Sequence, residues 1–304
     1  MQSNRVIVIG GNGFIGANIC KYFSEKNWSV TSFDLALPKE KIKNVEYIQG
    51  DYFNNTLLES QISDKDLIIH SLSTVNPGNS SVKFLQGYSL DFVQMARLAL
   101  MLVGTDKKMI FISSGGTVYG NQTEFPIKET ASLNPINHYG CLKVCIENML
   151  RTYNIQNNTS ILIARVSNPF GPGQDYKKGV GFVDAVLKKA INQEQIEIWG
   201  DGENIRDYIY IDDVCKMIFG MANYEGEIDT FNVSSGIGVS QNDIISLLKK
   251  QGYNLDVKYT KARSVDARKI VLDNSRIKEI CDVGSLSFED SLNTYLAVLK
   301  NQND

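Results

Sequence analysis

The stretch that decides the fold stands near the start of the chain: Val6-Ile7-Val8-Ile9-Gly10-Gly11-Asn12-Gly13-Phe14-Ile15-Gly16. Four apolar residues run directly into a glycine loop, and a helical pattern follows the loop. A strand that turns tightly into a helix, with glycines where the backbone must approach a pyrophosphate, is typical of a dinucleotide-binding βαβ unit. We therefore predict that Gly10, Gly13 and Gly16 form a cofactor-binding turn whose helix N-terminus faces the phosphates.

Two acidic residues extend this prediction. Asp34 ends the second apolar run, eighteen residues after Gly16, where a carboxylate can accept hydrogen bonds from the adenosine ribose hydroxyls. Because a carboxylate repels a 2′-phosphate and no arginine follows it, we predict NAD rather than NADP. Asp51, after the third run, is predicted to accept a hydrogen bond from the adenine amine. The simpler alternatives are an ordinary strand-to-helix turn, a polar strand end and a solvated loop acid.

The pattern of the remaining chain predicts the fold class. Strand-length apolar runs alternate with amphipathic segments, which predicts an α/β fold with a doubly wound parallel (Rossmann) sheet. After residue 166 the pattern changes to loops rich in glycine, proline and asparagine. We predict an NAD-binding Rossmann domain over 1–166 and a smaller mixed α/β substrate-binding domain over 167–304, with elements near 207–235 packing back on the first. The predicted strands are 6–9, 30–33, 45–49, 67–70, 109–113 and 161–164, and the predicted helices are 14–24, 88–103 and 139–153.

The composition limits the partners. With 31 basic and 34 acidic residues the net charge is −3, which disfavours nucleic acid and anionic lipid as partners. No run approaches the roughly 18 apolar residues of a membrane span, so no membrane association is expected. Five cysteines and no signal-peptide pattern predict reduced thiols and a cytoplasmic location. Cys141 and Cys145 have no partner cluster and His70 is expected in the core, so no metal site is predicted.

Tyr139 and Lys143 form the candidate catalytic pair. They stand four residues apart, which places both side chains on one face of the predicted helix. A free tyrosine has a pKa near 10, and an adjacent ammonium together with a positive nicotinamide ring would favour the phenolate. Such a tyrosine can move a hydroxyl proton while a hydride moves to or from the cofactor. Taken alone, the pair could equally be a chance surface pair.

Five segments together carry a family resemblance. They are Gly10 to Gly16, Ile112-Ser113-Ser114-Gly115-Gly116-Thr117-Val118-Tyr119-Gly120, Tyr139 to Lys143, Ser167-Asn168-Pro169-Phe170-Gly171-Pro172-Gly173-Gln174, and Arg206-Asp207-Tyr208-Ile209-Tyr210-Ile211-Asp212-Asp213. With these five segments in this order, the chain resembles the NAD-dependent sugar-nucleotide epimerase/dehydratase family, which is the extended branch of the short-chain dehydrogenase/reductase superfamily. The resemblance spans nearly the whole chain and is more specific for the family than for the reaction.

The resemblance implies further site residues. It places Asn168 near the phosphates or the sugar of a nucleotide-sugar substrate, and Arg206 and Arg263 on the diphosphate, which suits the planar donors of a guanidinium. It places Ile270 near the sugar C2 substituent, where an intermediate side chain leaves open whether an N-acetyl group fits. It also implies a homodimer formed through helices near 88–103 and 139–153. Further cofactor contacts are expected from Asn12, Phe14, Ile15, Tyr52, Leu72, Ser73 and Ser113, as well as from Tyr139 and Lys143.

The chain departs from the family pattern at Gly115. The family usually has a serine or threonine at this position, whose hydroxyl hydrogen-bonds the reacting sugar oxygen. Ser114 or Thr117 is expected to replace that hydroxyl, and Thr117 is preferred because it lies on the loop that faces the probable cleft. The alternative is that both hydroxyls only bind the backbone at the strand end.

The function that this sequence predicts is an NAD-dependent nucleotide-sugar 4-epimerase, acting on a UDP-hexose of the UDP-glucose/galactose type through a transient 4-keto sugar. The alternative is a reductase of a dTDP-linked 4-keto-6-deoxy sugar that uses NADH or NADPH. A dehydratase is less expected, because the Thr-Asp-Glu triad of such enzymes is replaced by Gly115-Gly116-Thr117. A non-catalytic NAD-sensing protein is a remote alternative.

Overall fold

The first half of the chain contains parallel strands with helices between most of them, as the apolar runs predict. The computed structural model describes residues 4–175, 177, 180–261, 267–282 and 287–301. Up to residue 166 the elements are β1 (Arg5–Ile9), α1 (Phe14–Glu25), β2 (Ser29–Asp34), β3 (Val45–Gln49), α2 (Asn55–Ile62), β4 (Leu67–His70), α3 (Ser80–Gln86), a π-helical segment (Gly87–Phe92), α4 (Val93–Met101), β5 (Lys108–Ser114), α5 (His138–Asn157) and β6 (Ser160–Val166).

The second half contains shorter strands between its helices. Its elements are β7 (Asn168–Phe170), α6 (Phe182–Ile191), β8 (Ile196–Trp199), β9 (Ile205–Tyr210), α7 (Ile211–Ala222), β10 (Thr230–Val233), β11 (Gly238–Ser240), α8 (Gln241–Lys250), β12 (Val257–Thr260), β13 (Lys269–Ile270), α9 (Ser275–Ile280) and α10 (Phe288–Asn301). Strand β9 pairs with β7, β11 and β13, whereas β8 and β12 form a separate parallel pair.

Within the described residues, the central sheet has seven parallel strands in the order β3-β2-β1-β4-β5-β6-β10. The direction of winding reverses between β1 and β4. In such a sheet a crevice opens at the carboxyl ends of the strands on either side of the reversal, and this crevice is where ligands bind. The predicted doubly wound α/β class is confirmed.

The sheet is buried on both faces. In β1, Val6 and Val8 belong to one apolar cluster, whereas Ile7 and Ile9 belong to another, and all four side chains are fully buried. Because successive side chains of a strand point to opposite faces, an uninterrupted apolar run is what a sheet covered on both sides requires. Helices α1 and α7 contribute to the first cluster, and α4 and α5 contribute to the second.

Strand β10 returns to the central sheet from the second half of the chain. It pairs with β6 over four residues, beginning with Thr230 opposite Ile163. Helix α7 packs beside α1, where the Phe219 ring lies 5.8 Å from Tyr22 and 5.2 Å from Phe23 between ring centroids. Both elements belong to the region near 207–235 that the sequence analysis expects to pack on the first domain. The domain boundary at residue 166 stays a prediction.

The helix predicted over 88–103 begins earlier than its apolar pattern suggests. Helix α3, the π-helical segment and α4 follow one another without a loop from Ser80 to Met101. At Gly87 an added Cβ would lie 2.8 Å from a methyl carbon of Leu142 on α5, so glycine allows a close approach of the two helices. Glycine weakens a helical prediction, which explains the late predicted start.

Candidate active site

A cleft of about 570 Å³ lies where the carboxyl ends of the central strands meet the second half of the chain. Residues that follow β1, β4, β5 and β6 line one side, and residues of α6, β8 and β9 line the other. Of the predicted site residues, those that line the cleft are Phe14, Ile15, Ser73, Ser113, Ser114, Thr117, Tyr139, Lys143, Asn168 and Arg206.

The glycine turn has the geometry of a phosphate-binding loop. Gly10 has a φ of +79°, which L side chains rarely adopt, and an added Cβ there would lie 2.9 Å from the Leu72 amide nitrogen. At Gly16 an added Cβ would lie only 2.2 Å from the Gly10 carbonyl oxygen. Gly13 donates its amide to the same oxygen at 3.1 Å. Side chains are therefore excluded where a dinucleotide pyrophosphate would approach the backbone, and the turn fits NAD.

Asp34 stands at the end of β2, beside this turn. Its carboxylate accepts hydrogen bonds from the backbone amides of Asn12 at 3.0 Å and Leu35 at 2.8 Å. The Asn12 side chain in turn accepts a hydrogen bond from the Ser32 hydroxyl at 2.8 Å. A carboxylate oxygen can accept more than one hydrogen bond, so Asp34 retains capacity for the ribose hydroxyls. Its negative charge also fits NAD, which has no 2′-phosphate.

Besides the glycine turn, Asn12 and Asp34, the predicted cofactor residues that lie outside the cleft lining are Asp51, Tyr52 and Leu72. Tyr52 is buried, and its ring centroid lies 5.1 Å from that of His70, so this side chain is part of the core. Asp51 is exposed and accepts the Phe53 amide at 2.9 Å. Leu72 borders the glycine turn through its backbone at Gly10. The cofactor roles of these residues stay predictions.

The start of α5 positions the candidate catalytic pair. The Asn137 side chain caps this helix by accepting the Gly140 amide at 2.8 Å. An added Cβ on Gly140 would lie 2.5 Å from the Thr117 carbonyl oxygen, so the first turn packs directly against the loop after β5. Lys143 Nζ donates to the Ile112 carbonyl at 3.0 Å and lies 5.5 Å from the Tyr139 ring centroid.

Burial controls the protonation of this pair. Removal from water lowers the pKa of Lys143 to about 8, although the negative charges of Asp91 and Glu147 act in the opposite direction. Burial also raises the pKa of the Tyr139 phenol, and the charge of Asp91 adds to this effect. The protein therefore favours a protonated phenol. The sequence-based expectation that Lys143 favours the phenolate covers only one of the opposing effects.

The hydroxyl candidates at the end of β5 both line the cleft. The Thr117 hydroxyl is buried and has no hydrogen-bond partner among the described residues. Ser114 also faces the cleft. An added Cβ on Gly115 would lie 2.8 Å from the Arg165 carbonyl oxygen and 2.4 Å from a methyl carbon of Leu272. Tight packing therefore explains the glycine at 115, and Ser114 and Thr117 are the neighbouring hydroxyls of the same loop that line the cleft.

The candidate substrate residues stand on the opposite side. Asn168 in β7 donates its side-chain amide to the Asp207 carbonyl at 3.2 Å, and Arg206 in β9 donates to the Ile205 carbonyl at 2.9 Å. Both line the cleft. Ile270 is buried in β13 and does not line the cleft, and its place near the sugar C2 substituent stays a prediction. Arg263 lies outside the described residues.

A buried charge network behind the pair escapes sequence reasoning. Glu147, one helical turn beyond Lys143, is fully buried and receives the guanidinium of Arg165 at 2.7 Å. Arg165 is 1% exposed and also donates to the Tyr119 hydroxyl at 2.9 Å. The Ser113 hydroxyl donates to Glu147 at 2.5 Å. This network connects α5 to β5 and β6 and thereby fixes the helix that carries the pair. The one hint of this network in the sequence is an acidic residue, Glu147, four positions after Lys143 and therefore on the same face of the helix.

A second buried acid joins the elements of the second half. Asp207 in β9 accepts hydrogen bonds from the amides of Ser235 at 2.9 Å, Gly236 at 3.1 Å and Leu272 at 3.2 Å. Burial raises its pKa to about 6, although these hydrogen bonds act in the opposite direction. Asp207 therefore supports the cleft wall on which its neighbour Arg206 stands.

Together, the glycine turn, the reversal in strand order and the Tyr/Lys pair define a dinucleotide-binding α/β enzyme. The model of the NAD dependent epimerase/dehydratase family matches residues 6–234. The chain belongs to this family, and its cofactor is NAD.

Relatives match the chain over nearly its full length. A dTDP-4-dehydro-6-deoxyglucose reductase from Escherichia coli is 30% identical over 292 residues, which cover 90% of each protein. The structure of a UDP-glucose 4-epimerase from Thermotoga maritima with UDP-glucose is 27% identical, covers 99% of this chain and 100% of that one, and has a TM-score of 0.91. A UDP-N-acetylglucosamine 4-epimerase from Methanobrevibacter ruminantium M1, in complex with UDP-N-acetylmuramic acid, is 26% identical with the same coverage and a TM-score of 0.89.

Within the described ranges, no helix has both the length and the apolar character needed to cross a membrane. The same part of the chain contains no group of three or more histidine, cysteine, aspartate or glutamate side chains that could hold a metal ion.

Proposed function

We propose that the chain is a nucleotide-sugar 4-epimerase that acts on a UDP-hexose of the UDP-glucose/galactose type. The observation that carries this proposal is that Tyr139 and Lys143 line the same cleft as Phe14 and Ile15 of the glycine turn and as Arg206 of the opposite wall. One cleft therefore offers a proton-transfer group, a cofactor turn and a cation for a diphosphate. The full-length similarity to UDP-sugar 4-epimerases supports the choice of substrate.

The residues of the cleft perform distinct tasks in this reaction. Bound NAD supplies a hydride acceptor and donor, which converts the sugar C4 hydroxyl to a ketone and back. Tyr139 acts here as a phenolate, which the Lys143 ammonium stabilises against the opposing effect of burial. The phenolate oxygen takes the C4 hydroxyl proton and later returns it. Arg206 and Asn168 bind the nucleotide diphosphate and sugar, and a hydroxyl of Thr117 or Ser114 hydrogen-bonds the reacting oxygen. Between the two hydride transfers the 4-keto sugar must rotate, so that hydride returns to its opposite face. The cleft must therefore hold the diphosphate more firmly than the sugar ring.

A second candidate function is reduction of a dTDP-linked 4-keto-6-deoxy sugar. The glycine at position 115 favours it, because the usual sugar-binding hydroxyl is missing there and packing against Arg165 and Leu272 excludes its simple return. The 30% identity to a dTDP-4-dehydro-6-deoxyglucose reductase supports the same candidate. In this reaction Tyr139 acts as an acid and donates its phenolic proton to the 4-keto oxygen, with NADH or NADPH as the reductant.

Retention of the cofactor distinguishes the two candidates. An epimerase regenerates its NAD in every cycle, so the purified protein should release NAD on denaturation and interconvert UDP-glucose and UDP-galactose without added cofactor. UDP-N-acetylglucosamine and UDP-glucuronic acid complete the substrate panel. A cofactor-free protein that oxidises added NADH in the presence of a dTDP-4-keto-6-deoxy sugar, and leaves the UDP-sugars unchanged, would replace the epimerase by the reductase.

Replacing Thr117 with valine should lower kcat about 10- to 100-fold, because the reacting oxygen loses a hydrogen-bond donor while the side-chain shape is kept. Ser114→Ala should have the smaller effect. Steady-state kinetics of the two variants, with Thr105→Val as a matched control on the surface loop before β5, measure the difference. Full activity in both Thr117→Val and Ser114→Ala would show that neither hydroxyl takes the family role.

We also infer a homodimer formed through α4 and α5. Val93 and Leu100 are exposed in α4 and stand seven residues apart, which places them on one helix face, and Leu100 is 63% exposed. Changing both to glutamate should convert a dimer into monomers in sedimentation equilibrium, since two charges would enter an apolar interface. Ile237→Glu, at an exposed position in the second half, should remain dimeric. A monomeric unmodified protein would contradict the inference.

The cysteines support a cytoplasmic location. All five (Cys20, Cys141, Cys145, Cys215 and Cys281) are free thiols. Free cysteines are typical of compartments where glutathione and thioredoxin keep thiols reduced. We therefore infer that the enzyme works in the cytoplasm.

A further inference from the structure

A second cavity, of about 280 Å³, lies beside β6 and β10, and none of its described lining residues also lines the catalytic cleft. Three guanidiniums from three elements line it: Arg151 of α5, Arg165 of β6 and Arg276 of α9. Arg165 is buried, whereas the side chains of Arg151 and Arg276 are 25% and 33% exposed. Two of the three cations of this cavity, which we call the arginine pocket, are therefore reachable from solvent.

The two accessible guanidiniums meet at the start of β10. Arg151 donates to the Thr230 hydroxyl at 3.1 Å, and Arg276 donates to the carbonyl of the same residue at 3.4 Å. Thr230 is 4% exposed and belongs to a strand of the central sheet, so it is a rigid point of attachment for both side chains. The pocket therefore holds two cations from different helices close together.

The acids of the pocket do not occupy these two guanidiniums fully. Arg151 Nε lies 3.6 Å from the Asp229 carboxylate. Arg276 Nε lies 3.6 Å from Glu129, which accepts the Asn232 amide at 2.9 Å. Both arginine–carboxylate separations exceed the length of a hydrogen bond. Arg276 makes one hydrogen bond within the described residues, so most of its five N–H groups have no acceptor there.

This arrangement suits a phosphate group that is attached to a small polyhydroxy compound. One guanidinium fork can occupy both oxygens of a carboxylate, whereas the terminal oxygens of a phosphate monoester can bind two guanidiniums from different directions. The Asp229 carboxylate, which is 35% exposed, can accept hydrogen bonds from ligand hydroxyls. The volume is below the roughly 300–1,000 Å³ of pockets for drug-sized ligands, so the ester must be small.

Arg151 is also part of the buried charge network behind the catalytic pair. It donates to Glu147 Oε2 at 3.2 Å, and the same oxygen receives Arg165 at 2.7 Å. The other oxygen of Glu147 accepts the Ser113 hydroxyl, and Ser113 lines the catalytic cleft. A phosphate that draws Arg151 into the pocket therefore weakens the network that fixes α5 against β5 and β6.

We propose that the arginine pocket binds a small phosphate monoester, and that the bound ligand slows turnover by drawing Arg151 away from Glu147. Binding is independent of the proposed function, because the described lining of the pocket shares no residue with the cleft. The change in turnover is measured on the proposed reaction.

Glucose 1-phosphate is the probe, and isothermal titration calorimetry of the whole protein measures its binding. We expect a dissociation constant of about 1 mM or lower, which corresponds to a few charge-assisted hydrogen bonds. Arg276→Gln should weaken binding about tenfold, because it removes one of the two accessible cations. Lys278→Gln removes a positive charge from an exposed position of the same helix, and it should leave binding unchanged.

Ala131→Leu tests the site without removing a charge. Ala131 lines the pocket, and a larger side chain there fills the space that the ligand needs. Binding of glucose 1-phosphate should weaken about tenfold or more. This variant also tests the site if Arg276→Gln does not fold. Acetate at equal ionic strength should bind the unmodified protein about tenfold more weakly than the phosphate ester.

Steady-state kinetics at saturating substrate measure the effect on catalysis. Saturating glucose 1-phosphate should lower kcat of the unmodified protein at least about twofold. Without the ester, Arg276→Gln and Ala131→Leu should turn over within about twofold of the unmodified rate, since neither position lines the cleft. The same concentration of ester should leave kcat of both variants unchanged.

The outcomes separate the proposal from the proposed function. Absence of binding, or binding that Arg276→Gln and Ala131→Leu leave unchanged, overturns the site. Equal binding of acetate and glucose 1-phosphate overturns the choice of a phosphate ester, and bound ester that leaves kcat unchanged overturns the link through Arg151. Binding that both variants weaken, in a protein with neither epimerase nor reductase activity, would support the pocket and reject the proposed function.

Discussion

Replacing Tyr139 with phenylalanine should lower turnover about 10³-fold, the order expected when a general acid–base group is lost. The phenol oxygen is the group that we assign to the proton of the sugar hydroxyl, whereas the ring packs beside Lys143. Phenylalanine keeps the ring, so NAD binding should change less than about twofold. Steady-state measurement of kcat tests the loss of turnover. Titration of NAD into protein from which the cofactor has been removed tests the unchanged NAD binding.

Tyr153→Phe is the matched control for this variant. Tyr153 stands on the same helix, and its hydroxyl donates to the Ala96 carbonyl at 3.4 Å, away from the cleft lining. The control should retain full turnover and cofactor binding. Unchanged turnover in Tyr139→Phe would refute the catalytic assignment, and loss of NAD binding would show that the hydroxyl instead supports the cofactor site.

Glu147→Gln should lower the free energy of unfolding by about 3–5 kcal/mol, because it removes one charge of a buried ion pair and leaves Arg165 without compensation. The carboxylate is fully buried and receives three nitrogen–oxygen contacts from Arg165 between 2.7 and 3.2 Å. Urea denaturation followed by circular dichroism measures the change as a lower midpoint with an unchanged slope.

The double variant Glu147→Leu/Arg165→Met tests whether the loss comes from an uncompensated charge. Removing both partners in favour of apolar side chains should recover most of the stability, since such replacements are often neutral. Equal losses in the single and double variants would point to packing instead. Both proteins are also informative for catalysis, because the network fixes the helix that carries Lys143.

Local patterns explain why the central sheet is predictable from the sequence. Strands β1, β4, β5 and β6 each contain a short apolar run, and the run before Gly10 enters a turn whose positive φ favours glycine. The spacing of eighteen residues between Gly16 and Asp34 can likewise be read directly from a short stretch of sequence. Helix α2 was not predicted, because Leu58 and Ile62 are its only buried residues and its start depends on the Asn54 cap, whose side chain accepts the Leu57 amide.

The candidate site is predictable only where its chemistry is local. Tyr139 and Lys143 share a helix turn, so their spacing alone brings them together. The reason for glycine at 115 lies in Leu272 and the Arg165 backbone, which are distant in sequence and become neighbours only in the fold. Asp91 belongs to the same class, because its partners Ser73 and Thr74 come from a separate loop. Long-range packing leaves no periodic signal in the chain.

Strand β10 lies far along the chain from its partner β6, and this distance affects folding during synthesis. When a ribosome has released the chain only through residue 166, β6 is an open sheet edge, and its partner follows more than sixty residues later. An unpaired strand edge is a template for pairing with other chains. The nascent enzyme must therefore wait for Thr230–Val233 before its largest sheet is closed on this side, and fragments ending near residue 166 should aggregate rather than fold as a free cofactor-binding module.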